Sequence, residues 1–255
     1  MNVARQRPEE GRDHYSYTVY ADPDVAGSFD RRRFSGPIGT LVADTQERVL
    51  VEFAGRVAGR SVIDVGTGTG RGALILARLG AEVTGVDASE QMLEVARRRA
   101  GDEGLAVTWR RGDAHRLEFA DRAFEVGVGL RVLMHTPDWR QCLGEICRVT
   151  CGRVVIDYPA RRSAAALQAG WRRLVAAAGG GGEAYRVLAD KAVQREFARH
   201  GFRVVATHRQ FVLPIGLHKA VGSRRFTEGA ERTLRALGLL RLFGSPVTVA
   251  AERVG

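Results

Sequence analysis

Cysteine, lysine and aromatic side chains are all scarce in this 255-residue chain, and each scarcity excludes something. There are three cysteines, Cys142, Cys147 and Cys151. An odd number without a Cys-x-x-Cys pair rules out a disulfide framework and a cysteine zinc site, so all three read as buried reduced thiols and no metal is expected. No stretch approaches the ~18 consecutive apolar residues of a membrane span. Met1–Arg12 is polar and charged, without the apolar core of a secretion signal, so the chain reads as cytoplasmic. Aromatics make up 7% of the residues, and nowhere do they interleave with a basic run as in single-strand nucleic-acid binders. The net charge of +10 taken alone points to nucleic acid or an anionic membrane surface. Lys191 and Lys219 are the only lysines, however, and the remaining cations are arginines spread along the whole chain. That spread reads as compositional bias, and nucleic acid is not an expected partner.

What is present is a 45% apolar chain, enough for one sizeable α/β core with additions. Its centre is Arg60–Asp87: an apolar strand, a turn carrying Gly66, Gly68 and Gly70, a helical stretch, a second strand, then Asp87. This is the first βαβ unit of a nucleotide-type fold. Glycines let the backbone turn sharply and approach a ligand, and the following helix aims free N–H groups into the turn. Asp87 ends the second strand, where a carboxylate accepts from a ribose diol.

The periodicity continues in alternation. A helix is expected over Thr40–Ala54, a helix capped by Ser89 through Arg99, a strand over Ala106–Arg110 and another over Ala123–Gly129. A helix then starts at Thr136-Pro137-Asp138, with proline in its first turn. A strand follows at Arg153–Asp157, helices at Ala160–Ala178 and Ala189–His200, and strands at Phe202–Phe211 and Ser245–Arg253, with Gly179–Gly182 breaking the chain between the two helices. Such alternation means a doubly wound, mostly parallel sheet with helices on both faces. Residues 1–14 read as a disordered tail, 15–58 as an N-terminal cap, and 59–255 as the main domain, with a helical insertion at 213–244 before the last strand.

Two ligands compete for the glycine turn. A dinucleotide needs G-x-G-x-x-G. From Gly66 the pattern fails because Arg71 stands at the third glycine, and from Gly68 it is met only loosely, as G-T-G-R-G-A. The turn also reads Asp64-Val65-Gly66-Thr67-Gly68-Thr69-Gly70, with an acid two residues before the first glycine. A carboxylate there suits a ligand carrying an amino group and a sulfonium better than a pyrophosphate.

With V-I-D-V-G-T-G-T-G, V-T-G-V-D-A-S-E-Q-M-L, Gly112-Asp113-Ala114, F-E-V-G-V-G-L-R-V-L-M-H and P-D-W-R-Q-C-L-G-E-I-C-R-V in this order, the chain resembles the class I S-adenosylmethionine-dependent methyltransferases. It is most similar to the small-molecule branch of the quinone-biosynthesis type. The resemblance implies a Rossmann-like seven-stranded sheet and S-adenosyl-L-methionine as cofactor. It places Asp64, Gly66, Thr67, Gly68, Gly70, Asp87, Ala88, Met92, Asp113, Ala114 and Leu130 at that cofactor, with Asp87 on the ribose hydroxyls and Asp113 on the adenine amine. Three departures stand out: Glu125 where the family usually has Asp, and Gly127 and Gly129 where branched apolar residues are usual.

The implied reaction is methyl transfer to a small, hydrophobic acceptor. A cofactor-binding protein without chemistry and an RNA methyltransferase are the other readings. A phenolic acceptor gains from a general base, and His135, just past the fourth strand, is the candidate, ahead of His14, Tyr17 and Tyr20. Tyr17, Tyr20 and Arg131 are the candidate substrate residues. His208 reads as a strand surface residue and His200 as a partner of a helix C-terminus. The insertion reads as packed helices, a lid over a lipophilic acceptor, or a basic amphipathic element resting on a membrane.

Overall fold

The computed structural model describes residues 33–164, 166 and 186–255. The tail, Tyr17, Tyr20 and the rest of the aromatic cluster, most of the helix expected over Ala160–Ala178, and Gly179–Gly182 lie outside these residues.

A seven-stranded sheet organises the chain: β1 (Ser61–Val65), β2 (Glu82–Asp87), β3 (Val107–Arg111), β4 (Phe124–Gly129), β5 (Thr150–Tyr158), β6 (Phe202–Phe211) and β7 (Ser245–Arg253). Its order is β3-β2-β1-β4-β5-β7-β6. The first five strands run parallel, and β7 is antiparallel to both β5 and β6. Eight helices are described: α1 (Gly36–Ala54), α2 (Arg71–Arg78), α3 (Glu90–Asp102), α4 (Trp139–Val149), α5 (Asp190–Arg199), α6 (Ile215–Val221), α7 (Arg224–Ala236) and α8 (Leu239–Phe243). This is the Rossmann-like methyltransferase fold that the motif order implied.

The period-2 geometry of the strands divides the core into two layers. Val155 of β5 joins Val62, Val126, Val128 and the buried residues Val49, Leu50 and Phe53 of α1 on one face. Val154 and Ile156 point the other way, to Ile63, Leu143, Ile146 and Phe197 of α4 and α5. Both faces of the central strands β1, β4 and β5 are therefore covered, which is why they read as largely apolar runs, whereas the edge strand β3 is mostly exposed.

The glycines of β4 have a packing cause. A Cβ on Gly127 would lie 2.4 Å from Thr150 Oγ1, and one on Gly129 would lie 2.9 Å from Ile146 Cδ1. Helix α4 thus approaches closely where branched side chains would hold it away. That helix begins three residues later than Thr136. Asp138 is its N-cap, with Oδ1 accepting from Arg140 N at 2.9 Å and Gln141 N at 3.2 Å. Cys142 and Cys147 are buried as expected, and burial pushes both thiols up. Cys151, near the start of β5, is instead exposed. His208 corrects the sequence reading as well: it is half-buried on β6, and burial, then Arg48 and Arg235, hold its pKa down. His200 caps α5 with Glu196 Oε1 at 3.4 Å, as its position implied.

The insertion is fastened to β6 by polar groups. Glu231 of α7 is buried and accepts from Val212 N (2.8 Å) and Leu213 N (3.0 Å), just past β6. Its Oε1 also lies 3.0 Å from Nε2 of the fully buried His218, whose Nδ1 is 3.1 Å from Thr227 Oγ1. Glu231→Ala strands two backbone N–H groups and a histidine nitrogen, so a loss of about 2 kcal/mol in urea unfolding is expected. A variant as stable as the parent would show that the clamp carries no stability.

Candidate active site

The sheet reverses its order between β1 and β4, and ligands of open α/β sheets sit outside the carboxyl ends of the strands at that point. One cavity opens there. Its walls are the turn after β1 (Gly66–Thr69, Arg71, Gly72), the exit of β2 (Asp87, Ala88, with Met92 of α3), the exit of β3 (Gly112, Ala114, His115) and the exit of β4 (Leu130–Val132, His135–Pro137). Gln46 and Leu50 of α1, with Arg33 and Phe34, close it from the N-terminal side.

The glycine turn is held from two sides. Gly66 N and Thr67 N both donate to Val86 O of β2, at 2.8 and 3.0 Å. Gly68 N donates to Asp87 Oδ2 at 2.8 Å, and Asp87 Oδ1 accepts from Ser89 N at 2.9 Å. One carboxylate thereby joins the first turn to the start of α3, where Ser89 caps the helix through Met92 N. Gly66 and Gly68 have φ of +68° and +56°, a region where a side chain is strained. A Cβ on Gly66 would also strike Val132 at 2.7 Å, whereas one on Gly68 would meet nothing within 4 Å. Gly68 thus presents bare backbone beside open space. Gly70 does other work: it is not on the cavity wall, and a Cβ there would meet Trp109 and Ala96.

Asp64 lies beneath this turn, 2% exposed, accepting from Thr67 Oγ1 at 2.7 Å. Burial pushes its carboxyl up to about 7, against the hydrogen bonds from Thr67 and Ala73, with a small upward push from Asp87. Asp87 is also raised, by burial against its backbone hydrogen bonds. Two acids held above their ordinary range in one cavity form a site that favours a cationic ligand.

The β3 exit differs in detail from the motif reading. Gly112 and Ala114 reach the wall, but Asp113 does not. Its Oδ1 accepts from His115 N at 2.9 Å and sits 2.8 Å from His115 Nδ1. His115 Nε2 accepts from Asp138 N at 3.3 Å, which puts the proton on Nδ1. Asp113 therefore holds His115, and His115 lines the cavity. His115 was missed: Asp113 is only two residues away, but the tie to Asp138 at the start of α4 is one that only the fold makes.

At the β4 exit, Leu130, Arg131 and His135 all line the cavity. Arg131 has φ +62°, a strained value for a residue with a side chain. Its N–H is held by the carboxylate of Asp157, which is 3% exposed and raised by burial, and Gln46 Nε2 of α1 reaches the same group at 3.5 Å. Phe34, Gln46 and Leu50 were also missed by motif reading. The available signal was a polar Gln46 one helical turn before the core residue Leu50. Arg71, which broke the dinucleotide pattern, donates to Ala43 O at 2.6 Å and stacks 4.3 Å over the Phe34 ring.

Residues 62–151 match a family model described as a methyltransferase domain. A demethylmenaquinone methyltransferase of Thermus thermophilus is 39% identical over 120 residues, 44% of this chain and 53% of that protein. A ubiquinone biosynthesis O-methyltransferase of Ruegeria pomeroyi is 36% identical over 119 residues, 47% of this chain and 41% of that protein. The chain spans about half the length of the curated relatives it matches. Among solved structures, the magnesium protoporphyrin IX methyltransferase of Synechocystis with bound S-adenosylhomocysteine superposes with a TM-score of 0.65 at 18% identity, covering 93% of this chain and 99% of that one.

Proposed function

We propose that the chain, residues 62–151 of which match a methyltransferase domain model, is a class I S-adenosylmethionine-dependent methyltransferase that transfers a methyl group to a small, hydrophobic acceptor of the quinol or phenol type. The observation that carries this reading is one cavity whose lining combines the glycine turn, Asp64 and Asp87 with the apolar side chains of Phe34, Leu50 and Val132 and with His135. The acceptor class is supported by the quinone-pathway names of two relatives.

The residues fit the cofactor on chemical grounds. Asp87 accepts from the backbone N–H groups of Gly68 and Ser89, with Ala88 as a third backbone donor, and the carboxylate keeps acceptor capacity for a ribose hydroxyl. Asp64, raised by burial, is stabilised as an anion by an ammonium and a sulfonium nearby. Ala88, Met92, Ala114 and Leu130, all on the cavity wall, would line the adenosine, with Asp113 acting through His115. The cofactor supplies an electrophilic methyl with its own leaving group. The protein's part is to position the acceptor and exclude water.

His135 is the base in this reading. It sits on the cavity wall, on a turn in which its N–H donates to Val132 O at 3.0 Å. A phenol of pKa ~10 is mostly protonated at neutral pH, so an imidazole that takes its proton raises the reactive fraction. Expected for His135→Ala is a fall in turnover of about tenfold or more on a phenolic acceptor, with S-adenosylhomocysteine affinity kept. Turnover near that of the parent would end the base assignment. A panel of quinols, phenols and fatty acids with labelled cofactor tests the acceptor class; transfer only to RNA would refute it.

A further inference from the structure

The insertion between β6 and β7 carries a surface unlike the rest of the molecule. Among the described residues ten large apolar side chains are exposed, and seven of them lie between Ile215 and Phe243. The most open are Leu237 at 68% and Leu242 at 56%. The same segment exposes six Lys and Arg side chains, five of them arginines on α7 and α8. Glu228 is its one exposed acid, since Glu231 is buried against His218.

Helix α7 shows how the two characters are combined. Thr227 and Glu231, one turn apart, face inward and are buried. Phe226, Ala230 and Leu237 fall on one flank of that stripe at helical spacing, and Arg225, Glu228 and Arg232 fall toward the other. A helix that served only as packing would bury its apolar flank. Here polar pins fasten the helix and the apolar flank stays outside.

We propose that α6–α8 dock the protein on an anionic lipid surface, with the apolar flank entering the headgroup boundary and the arginines on the lipid phosphates. Charge complementarity selects this occupant. A second copy on the same face would set five arginines against five, and phosphate-backbone binding leaves Leu237, Leu242 and Phe243 unused. The face also touches the cavity rim: Lys219 Nζ donates to Arg33 O at 2.9 Å, and Arg33 lines the cavity. A lipophilic acceptor could then pass from the bilayer to the site without crossing water. The docking itself stands independently of the acceptor's identity.

The test is co-sedimentation of the full chain with vesicles of phosphatidylcholine, with and without phosphatidylglycerol. Binding to the anionic vesicles only, weakened by salt, is expected. Removing one interfacial cation costs about fivefold in affinity, so Arg225→Glu with Arg232→Glu loses at least about tenfold. Leu237→Ser with Leu242→Ser also loses binding. Both variants should melt and bind S-adenosylhomocysteine as the parent does, since none of the four residues lines the cavity. That readout separates failure of docking from failure of the cofactor site. The proposal is overturned if the parent stays in the supernatant with anionic vesicles, or if the charge-reversed variant binds equally. It is also overturned if the parent forms a concentration-dependent dimer that Leu237→Ser with Leu242→Ser abolishes, or if RNA displaces the vesicles.

Discussion

Asp87→Ala is expected to weaken S-adenosylhomocysteine binding by about 30- to 1000-fold, or roughly 2–4 kcal/mol. Two losses combine. Charge-assisted hydrogen bonds to a ribose diol contribute about 1–3 kcal/mol. The second loss is internal: Gly68 N and Ser89 N both donate to this carboxylate, so its removal frees the glycine turn from the start of α3. A loosened turn must be ordered again on binding, about 1 kcal/mol more. Asp87→Asn keeps one oxygen for an N–H and sacrifices the charge, so it should fall between parent and alanine. Titration calorimetry measures all three. Affinities within twofold of one another would show that Asp87 meets neither the ribose nor a turn that matters for binding.

The same residue shows what a linear reading reaches. Asp87 and the strand it ends were legible because the determinants are local: an apolar strand, a glycine turn, an acid at a fixed distance. Ser89 as a cap was legible for the same reason, and its hydroxyl accepts from Met92 N at 3.2 Å. The strands from Ser61 to Gly129 and both late strands fall within a residue or two of their expected bounds, since short apolar runs bounded by turn residues, and the alternation along β6, are local signals. Features that depend on a partner far along the chain were not legible. Asp113 read as a ligand residue; its carboxylate holds His115 two residues on, and only the fold ties that ring to Asp138, the N-cap of α4. Thr136-Pro137-Asp138 was legible as a helix start to within that turn, and Asp138 is the residue in it that caps the helix. Gly127 and Gly129 read as either a weakness in the strand or a close approach, and only the fold shows that Ile146 and Thr150 occupy the space. His218 and Glu231, thirteen residues apart, carry no motif, and only the return of α7 toward β6 makes them a pair.

The largest pH effect should come from Asp64. Burial holds its carboxyl near 7 in the folded chain, against about 3.9 for an exposed aspartate in the unfolded one. Between these values the folded state binds the additional proton, so the contribution to stability is full below about pH 4 and is lost as pH rises through about 7. A shift of about three pH units corresponds to a loss on the order of 4 kcal/mol. Asp87 and Asp157 are raised by burial as well and act in the same sense. The cofactor-free protein should therefore become less stable from pH 4 toward 7 by urea unfolding, and level off above. Asp64→Asn should flatten that slope, because an amide has no proton to lose in this range. Cofactor reverses the balance: a ligand bearing an ammonium and a sulfonium favours the ionised carboxylate, so binding should tighten as pH rises toward 7. Near pH 6 it should also release up to one proton, read by calorimetry in two buffers of different ionisation enthalpy. If Asp64→Asn keeps both the parent's stability slope and its proton release, Asp64 is not the group that senses the cofactor.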